Sequence, residues 1–553
     1  MSEIIGRVVA TEKNPSTTNS VQFWVEKDRV LKPFDVVMIR HIKGSHTYAI
    51  ITELRYLTDS AGYLSDWVSA DFGDVSAEPR NERIGTTVAD AEILYNDQDL
   101  EMPIRNGAPV EWADAEGIRR ALGVVNLRHP VPAGWFRMSN GQEVVIDFEG
   151  NYLIGPEGAH LNIAGISGLA TKTSYAMFLC SALQQRRPAD VSLVIFNVKG
   201  FDLLSLDEPA KPEDLTEADK ANWAKCDLKA EPFRNVTYFY PYAESDAQAF
   251  NQSKVPRDLH KRQIDNDNCY HYVYPVAYGK QLLSLLLTDI DDGTRTMEDC
   301  AAEIADDREA GSWDALREML AEKTKAAGKG SASKGGAITV QSWRKFFRLL
   351  RTRTKNPIFA GLAGSRTKER RQCQTSDILK HLGPGKVVVI DIEPLPEYLQ
   401  TLVVGDVLNL IIGAKLGGGE EQQDEQLDIG RIVIFADELN KYAPKQGGGS
   451  LTDSLLEITE RGRSLGIVLF GAEQFRSGVH DRVLGNCATN VFGRTSAVEI
   501  RKDSAYRMLN QTQQSSLSRL PQGSLMIQHP VFTSAVVKVN FPRPAYAQPK
   551  GTR

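Results

Sequence analysis

A lysine–threonine pair opens a predicted helix directly after an apolar strand and a glycine-containing turn. The segment reads Leu161-Asn-Ile-Ala-Gly-Ile-Ser-Gly-Leu-Ala-Thr-Lys-Thr-Ser-Tyr. Backbone N–H groups in such a turn, together with the positive end of the helix dipole, bind phosphate groups. Lys172 would then reach the β- and γ-phosphates of a nucleotide, and the Thr173 hydroxyl would ligate Mg²⁺. The predicted phosphate-binding residues are Gly165, Ser167, Gly168, Thr171, Lys172, Thr173 and Ser174.

This loop departs from the usual G-x-x-x-x-G-K-[ST] pattern. Thr171 stands where a glycine is expected, and Gly165 lies seven residues before Lys172 instead of six. The loop is therefore one residue longer than usual. A plain strand-to-helix turn with an incidental Lys-Thr pair is the alternative interpretation.

Two acidic residues end a later apolar strand, Arg431-Ile-Val-Ile-Phe-Ala-Asp-Glu. In phosphoryl-transfer ATPases, such a strand supplies an aspartate that holds Mg²⁺ through water and a residue that positions the attacking water. Asp437 and Glu438 are the residues predicted for these two roles. A strand followed by an acidic helix cap is the alternative. Together the two segments predict ATP and Mg²⁺ as ligands and ATP hydrolysis as the reaction.

An arginine-bearing helix and the strand after it supply further candidates. The predicted helix from Leu451 to Arg463 leads into the strand Gly466-Ile-Val-Leu-Phe-Gly-Ala-Glu-Gln. Gln474 would sense the γ-phosphate from the end of that strand, and Arg461 and Arg463 would reach a phosphate across a subunit boundary. A surface salt bridge is the alternative for each arginine. The predicted catalytic residues are Glu438, Arg463, Gln474 and Arg461.

The strongest basic concentration lies between residues 344 and 371, which hold ten Lys or Arg and one Glu. The local net charge is +9 in a chain whose net charge is −6. A basic strip of this kind neutralises the phosphates of double-stranded DNA without reading bases. A solvated helix face, or a face paired with the acidic stretch 289–307, is the alternative. The predicted DNA-binding residues, which recur near helical spacing, are Arg344, Lys345, Arg348 and Arg351.

The elements that must position these residues change in type along the chain. Short β-rich runs within the first 60 residues indicate a small β-barrel or sandwich. From about Val144, apolar strands alternate with helices, which indicates a parallel sheet covered on both faces. The predicted parts are 1–130 as the β-barrel and a connector, 131–245 as the first part of the α/β core with the phosphate loop, 246–375 as a helical insertion, 376–540 as the second part of the core with the acidic strand, and 541–553 as a C-terminal tail.

Length and composition exclude several classes of protein. A chain of 553 residues is too long for one compact domain, and its 42% apolar and 25% charged residues exclude a disordered chain, a collagen-like fibre and a simple coiled coil. The sequence has no uninterrupted apolar stretch of about 18 residues, and its start lacks the pattern of a signal peptide. Six scattered cysteines without CxxC spacing indicate reduced thiols. We therefore expect a cytoplasmic protein with no membrane partner.

With these motifs in this order, the chain resembles the HerA family of hexameric DNA translocases, within the wider HerA/FtsK group of RecA-like motors. The resemblance covers most of the chain. Ile5-Gly-Arg-Val-Val and Phe34-Asp-Val-Val look like the family's N-terminal barrel (HAS-barrel-like), and residues 160–174 look like its phosphate loop. Its acidic strand is resembled by Phe435-Ala-Asp-Glu-Leu-Asn-Lys-Tyr-Ala-Pro, and its arginine-bearing helix and glutamine-ending strand by Glu460-Arg-Gly-Arg-Ser-Leu-Gly-Ile-Val-Leu-Phe-Gly-Ala-Glu-Gln. The family's late strands are resembled by Asn486-Cys-Ala-Thr-Asn-Val-Phe-Gly-Arg-Thr and Leu520-Pro-Gln-Gly-Ser-Leu-Met.

The resemblance implies an α/β fold: a RecA-like P-loop ATPase core with an N-terminal small β-barrel and a helical insertion. It implies a homo-oligomer, expected to be a hexameric ring, that acts on double-stranded DNA as an ATP-driven translocase or helicase. It also implies a nuclease or NAD-degrading effector partner (NurA-like or sirtuin-like) in anti-phage defence or DNA end processing.

A second departure from the family pattern is Phe196-Asn-Val-Lys-Gly-Phe-Asp, where the family commonly has an acidic residue at the strand end. Asn197 supplies no carboxylate, and Asp202 is displaced. These changes favour a second hypothesis, an ATP-binding ring scaffold that hydrolyses weakly and organises an effector enzyme. Asp437, Glu438 and Arg463 favour the motor. A conjugation or secretion ATPase is a third, less favoured hypothesis because the sequence shows no membrane segment.

Overall fold

A computed structural model describes residues 3–69, 71–74, 76, 84–166, 171–244, 250–287, 290, 296–306, 310–325, 338–362, 370–417 and 430–548. The chain divides into two compact units. Unit 1 comprises Met1–Glu149 and Phe492–Phe541, and unit 2 comprises Gly150–Val491 and Pro542–Arg553.

The β-strands of the described residues are numbered here in chain order. They are β1 (Ile4–Val9), β2 (Ser20–Val25), β3 (Val36–Arg40), β4 (His46–Thr58), β5 (Gly85–Asn96), β6 (Pro109–Trp112), β7 (Pro130–Arg137), β8 (Glu143–Glu149), β9 (Leu161–Ala164), β10 (Val191–Asn197), β11 (Val236–Pro241), β12 (Cys269–Val273), β13 (Gln372–Gln374), β14 (Val387–Asp391), β15 (Arg431–Asp437), β16 (Ile467–Glu473), β17 (Thr489–Phe492), β18 (Ser524–Gln528) and β19 (Val537–Asn540).

The helices are named here by their bounds. In unit 1 they are Tyr63–Ser69, Ala115–Ala121, Ala497–Lys502, Ser504–Arg507 and Gln511–Ser518. In unit 2 they are Gly150–Leu153, Thr171–Arg186, Glu217–Lys225, Arg257–Asp265, Val276–Gly279, Leu283–Leu286, Thr296–Ala305, Trp313–Lys323, Val340–Arg353, Glu397–Leu416, Leu439–Tyr442, Ser450–Leu465 and Asp481–Gly485. Short 3₁₀ helices are Ile42–Gly44, Asp71–Gly73, Asp202–Ser205, Lys280–Leu282, Thr375–His381 and Arg476–Gly478.

The first six strands of unit 1 close into a barrel in the order β1–β2–β5–β4–β3–β6, with β6 pairing antiparallel to β1. Successive side chains of a strand point to opposite faces, so one set fills the interior. Ile5, Phe23, Val37 and Val110 belong to that buried set. The predicted small barrel is therefore confirmed, and closure excludes the sandwich. Unit 1 also contains an antiparallel sheet in the order β18–β19–β7–β8.

Unit 2 is built on a sheet in the order β13–β12–β11–β14–β10–β15–β16–β9–β17. Each neighbouring pair from β13 to β9 is parallel. The six apolar runs predicted as strands are β9, β10, β11, β14, β15 and β16, so the predicted α/β fold class with an N-terminal barrel is confirmed. Parallel strands end at one edge of a sheet, and ligands of such sheets bind there.

Helices predominate between β12 and β13, as the predicted insertion requires. The Thr296–Ala305, Trp313–Lys323 and Val340–Arg353 helices are apolar on their inner sides and join one core cluster in unit 2. The structure differs from the predicted limits 246–375 because β12 and β13 belong to the sheet. Their sequences, Cys-Tyr-His-Tyr-Val and Gln-Cys-Gln, carry polar residues that obscured the apolar strand pattern.

One helix among the described residues, Glu397–Leu416, is long and apolar enough to cross a membrane by length and composition. Its Val403 is fully buried in the core of unit 2. Asp406 lies near its middle and accepts hydrogen bonds from the Tyr278 and Thr375 hydroxyls, each at 2.5 Å. Burial raises the pKa of Asp406 to about 6. A buried carboxyl held by two hydroxyl donors is characteristic of a packed protein core.

Candidate functional site

Lys172 is buried at the start of the helix that follows β9. The Thr171–Arg186 helix begins one residue before it, and both Thr171 and Lys172 are buried. The Lys172 Nζ has no hydrogen-bond partner among the described residues. Burial lowers the pKa of this ammonium group, although the carboxyl groups of Asp437 and Glu473 oppose that shift. A buried ammonium without an acceptor is costly, so the site is suited to an anionic group.

A cavity of about 300 Å³ lies beside Lys172 in unit 2. Thr173 and Ser174 reach it from the same helix, and Asp437 reaches it from the end of β15. The phosphate-loop helix and the acidic strand, far apart in the sequence, therefore share one cavity. Its lining residues are Ile166, Thr171, Lys172, Thr173, Ser174, Phe196, Val198, Lys199, Asp202, Leu203, Asp437, Tyr546 and Gln548.

The strand that leads into the phosphate loop is fixed by its neighbour β16. Ala164 of β9 lies in register with Glu473, and the Gly165 N–H donates to the Glu473 carbonyl at 3.2 Å. Ser167 and Gly168 lie outside the described residues. Their predicted phosphate contacts stay predictions.

Asp437 and Glu438 occupy the end of β15 with different surroundings. Glu438 has φ 61° and ψ 40°, a left-handed conformation uncommon for a residue with a side chain. Its N–H donates to the Asp437 Oδ1 at 2.9 Å. Burial raises the pKa of Asp437. Burial also acts to raise the pKa of Glu438, but a hydrogen-bonded ion pair with Lys199 lowers it overall. Glu438 is therefore held ionised.

Lys199 was not singled out from the sequence. It follows β10 by two positions, lines the cavity, and donates from Nζ to the Glu438 Oε1. A lysine at the end of an apolar strand was visible in Phe196-Asn-Val-Lys-Gly. Its partner lies 239 positions later, so the pairing depends on β10 and β15 being neighbours in the sheet.

Glu473 is a second residue that the sequence analysis did not select. It ends β16, the strand between β15 and β9, and is fully buried. The Asn162 Nδ2 donates to both of its carboxyl oxygens, at 2.8 and 2.9 Å. Burial raises the pKa of Glu473 to about 8. The predicted sensor was the next residue, Gln474, which is half-buried and absent from the described lining of the cavity.

Asn197, the predicted departure at the end of β10, pairs with a buried carboxyl group. Its Nδ2 donates to the Asp391 Oδ1 at 2.8 Å and to the Gly200 carbonyl at 3.0 Å. Asp391 ends β14 in register with Asn197, and burial raises its pKa to about 6. A carboxyl group is therefore present one strand away, although neither residue is among the described lining of the cavity.

A segment near the end of the described chain closes one side of the cavity. Tyr546 and Gln548 both line it. The segment is fixed to the rest of unit 2 by hydrogen bonds from the Ser205 hydroxyl to the Ala547 carbonyl and from the Trp223 indole N–H to the Arg543 carbonyl, each 2.8 Å long. The sequence predicted a tail here, and its composition gives no indication of a binding role.

The two arginines predicted for catalysis do not line the described cavity. Arg463 is exposed, and its Nη1 donates to the Glu157 carbonyl at 3.2 Å. Arg461 is exposed and pairs with Glu457 at 3.1 Å, one turn earlier on the same helix. The salt-bridge alternative therefore describes Arg461 in this chain. The predicted action of either arginine on a neighbouring subunit stays a prediction.

The predicted basic face lies on the Val340–Arg353 helix. Trp343, Phe346 and Leu350 are buried on its inner side. Its outer side presents the exposed residues Arg344, Arg348 and Arg351 and the half-buried Lys345. Within the described ranges, no acidic side chain forms a salt bridge with these four residues.

Three other basic residues of the segment 344–371 have structural partners. Arg353 is buried, and its guanidinium lies 4.8 Å from the centre of the Tyr398 ring. Arg370 and Arg371 form ion pairs with Glu244 and Asp267 at 2.7 and 2.5 Å. Within the described part of the strip, Arg344, Arg348 and Arg351 are therefore exposed on one helix face, and Lys355 is exposed just after that helix.

The residues of the cavity fit a nucleoside triphosphate bound with Mg²⁺. The Lys172 ammonium is buried and has no hydrogen-bond partner among the described residues, so phosphate oxygens would complete its coordination. The Thr173 hydroxyl and the Asp437 carboxyl offer the oxygen ligands that Mg²⁺ prefers, and both residues line the same cavity.

Several solved structures are distantly similar to the chain. The plasmid coupling protein TrwB in complex with the GTP analogue GDPNP has a TM-score of 0.41 and 13% identity, covering 73% of this chain and 89% of that chain. VirB4 of Thermoanaerobacter pseudethanolicus has a TM-score of 0.40 and 14% identity, covering 75% and 97%. The genome packaging NTPase B204 from Sulfolobus turreted icosahedral virus 2 has a TM-score of 0.22 and 17% identity, covering 31% and 72%. TM-scores this low assign neither a family nor an activity. No protein-family model and no curated protein matches the chain.

Proposed function

We propose that the chain is an ATPase that binds ATP and Mg²⁺ in the cavity at the carboxyl ends of β9, β10 and β15. The observation that supports this most strongly is the buried Lys172 ammonium, which has no hydrogen-bond partner among the described residues and lines the cavity. Phosphate oxygens would supply the acceptors that it lacks. The start of the Thr171–Arg186 helix would add favourable backbone dipoles.

Each residue of the site has a defined role in this proposal. Lys172 holds the β- and γ-phosphates, and Thr173 and Asp437 hold Mg²⁺, which neutralises charge on the phosphate oxygens. Glu438 orients the attacking water and takes its proton. Its carboxylate must first separate from Lys199, because an ion pair with an ammonium group makes a carboxylate a weaker base. The Lys199–Glu438 pair therefore describes a resting arrangement.

The finer part of the proposal is a motor. A homo-oligomeric ring, expected to be a hexamer, would use ATP hydrolysis to move double-stranded DNA in the cytoplasm. The exposed face of Arg344, Arg348 and Arg351 supports backbone contacts, because no acidic side chain within the described ranges neutralises it. The resemblance to the HerA family supports the ring and a nuclease or NAD-degrading partner in anti-phage defence or DNA end processing.

A specific observation favours the second candidate function, an ATP-binding ring scaffold with weak hydrolysis. Glu438 is engaged with Lys199, and Asn197 replaces an acid at the end of β10. In this candidate function both features would slow hydrolysis while leaving the phosphate-binding residues unchanged. The scaffold and the motor therefore share the cavity and differ in turnover.

Two variants test the site. Lys172→Ala should weaken ATP binding by about 10- to 150-fold, because charge-assisted hydrogen bonds contribute about 1.5–3 kcal/mol. Glu438→Gln should bind ATP normally and lose multiple turnover. Equilibrium binding of a fluorescent ATP analogue and release of phosphate measure the two effects. The matched control is Lys220→Ala, which removes an exposed lysine of the Glu217–Lys225 helix. Normal affinity in Lys172→Ala would place the nucleotide elsewhere.

The same preparations separate the motor from the scaffold. The motor requires phosphate release that rises when duplex DNA is added, whereas the scaffold requires a slow rate that duplex DNA leaves unchanged. Phosphate release by Glu438→Gln, measured with and without duplex DNA, gives the rate that does not depend on the proposed base. A DNA-stimulated rate that persists in Glu438→Gln would contradict the assignment of the water-activating residue.

A further inference from the structure

Two histidines and a cysteine meet in unit 2 at a place separate from the described lining of the phosphate cavity. His260 belongs to the Arg257–Asp265 helix, and Cys269 and His271 belong to β12. All three side chains are buried. One potential ligand atom from each residue lies within 4.8 Å of the other two. Because Cys269 and His271 are two positions apart on a strand, both point to the same face.

The two imidazoles turn lone pairs toward each other. The His271 Nδ1 lies 2.8 Å from the Arg370 carbonyl, which only accepts, so this Nδ1 carries the proton and the Nε2 of the neutral ring has a lone pair. The Asn251 Oδ1 accepts from the Ser253 N–H at 3.0 Å, which orients its Nδ2 toward the His260 Nε2 at 3.1 Å. The His260 Nε2 therefore also accepts.

The two Nε2 atoms lie 3.0 Å apart. With both acting as acceptors, their direct contact is repulsive unless a cation lies between or beside them. Both imidazoles are buried, so a proton shared between them would place a charge away from water. The Tyr240 ring packs edge-to-face against the His260 ring, with the ring centres 5.5 Å apart. A bound metal ion would take both lone pairs, and the Asn251 amide would then turn away from the His260 Nε2.

We propose that His260, Cys269 and His271 form a binding site for a zinc-class metal ion. Two imidazole nitrogens and one sulfur are the donor set that Zn²⁺ prefers. Tetrahedral Zn²⁺ with bonds of about 2.0–2.1 Å holds two nitrogen ligands about 3.4 Å apart, close to the separation seen here. The fourth position is open to a water molecule. The Arg370 carbonyl, which accepts from His271, plays the orienting part that ligand histidines commonly require.

The Cys269 thiol must lose its proton to bind the ion, and that proton is released to solvent. Burial raises the pKa of this thiol to about 12, while the nearby Arg371 guanidinium acts to lower it. Arg371 is itself balanced by Asp267 at 2.5 Å. The metal would fasten the Arg257–Asp265 helix to β12 next to β13. None of its three ligands is in the described lining of the proposed Mg²⁺ site.

Metal content of the whole chain tests the proposal without any variant. The protein should be produced without a histidine tag in zinc-supplemented medium, passed over a weak chelator, and analysed by plasma mass spectrometry. We expect about one zinc per chain. Zinc below about one tenth of an equivalent, together with no uptake when Zn²⁺ is added back, would overturn the proposal.

Cobalt reports the ligands directly. Adding Co²⁺ to the metal-free chain should give visible bands of a tetrahedral site and a near-ultraviolet band from a thiolate–cobalt bond. Cys269→Ser should lose the near-ultraviolet band, and His260→Gln should weaken binding by about 10-fold or more. Cys373→Ser is the matched control, since Cys373 is buried on β13 beside β12 but lies outside the cluster.

The spectra have two decisive outcomes. If Cys269→Ser loses the thiolate band and Cys373→Ser keeps it, the proposed site is supported. An unchanged band in Cys269→Ser, or its loss in Cys373→Ser alone, would assign the metal to other cysteines and overturn it. Circular dichroism of each variant distinguishes loss of the ligand from loss of the fold.

Discussion

Under the proposed function, the two acidic residues at the end of β15 have different roles in ATP hydrolysis. Asp437 lines the cavity, whereas Glu438 is turned by its left-handed backbone into an ion pair with Lys199. A non-glycine residue in this conformation stores strain that is common at functional sites. Under the proposed function, Glu438 would leave this ion pair before it acts on the attacking water.

Removing Lys199 should shift the pH dependence of hydrolysis. The ammonium stabilises the ionised form of Glu438 and lowers its pKa. In Lys199→Ala the pKa of Glu438 should rise. The Glu438 carboxylate should therefore become protonated, and stop acting as a base, at a higher pH. The acid limb of the single-turnover rate should therefore move to higher pH, while affinity for ATP changes by less than about threefold, because Lys172 still holds the phosphates.

A surface lysine provides the comparison for Lys199. Lys220 pairs with Glu217 at 2.7 Å on an exposed helix, and Lys220→Ala should leave the pH profile unchanged. If Lys199→Ala keeps the parental acid limb, or moves it to lower pH, Glu438 is not the titrating base.

At the scale of elements, the sequence predicted what depends on local pattern. The barrel strands, the six core strands and the Ser450–Leu465 helix follow from alternation and periodicity. Lys172 and Asp437 follow from chemistry at strand ends. Lys199 and Glu473 could not be assigned because their partners depend on the order of strands in the sheet, which the sequence leaves open. The residues around Tyr546 form no sequence pattern that would place it in the lining of the cavity.

The Val340–Arg353 helix carries a prediction about DNA. Reversal of Arg344, Arg348 and Arg351 to Glu should weaken duplex binding equally across sequences. It should also reduce the slope of log affinity against log salt by about 0.9 for each phosphate that the helix no longer neutralises. The fold should persist because all three side chains are exposed. Titration of labelled duplex at several salt concentrations measures both effects.

The control for the Val340–Arg353 helix is a triple variant that reverses three positive charges at another place in unit 2. Lys220, Lys225 and Lys229 are also exposed in unit 2, and their reversal should leave the salt slope near the parental value. Equal effects of the two triple variants would mean that only net charge matters. An unchanged slope in the arginine variant would assign the basic face to protein contacts.

At the scale of the whole molecule, Arg463 tests the ring. It is exposed and absent from the described lining of its own cavity, as an arginine serving a neighbouring subunit would be. Arg463→Ala should assemble and bind ATP but lose about 10³–10⁵ in turnover. Mixing it with Lys172→Ala subunits should restore part of the rate, because an Arg463→Ala pocket beside a Lys172→Ala subunit can use the arginine of that neighbour. Phosphate release by mixed rings is the measurement.

Composition of the mixed rings must be verified by native mass spectrometry. Mixtures of Arg463→Ala with wild-type subunits set the upper limit of the rate, and Arg461→Ala mixtures test the neighbouring arginine. Mixed rings that stay as slow as Arg463→Ala alone would restrict Arg463 to its own subunit or to a structural role.

The wall made by Tyr546 and Gln548 has a consequence for the timing of synthesis. Tyr546 follows Leu203, another residue of the cavity lining, by 343 positions. At about 5–20 residues per second, a ribosome needs between about 17 and 70 s to cover that distance. During this interval the phosphate loop has been made but its cavity has no such wall. Under the proposed function, nucleotide would therefore guide the folding of the nascent chain only weakly and would act mainly on a chain extending at least to Gln548.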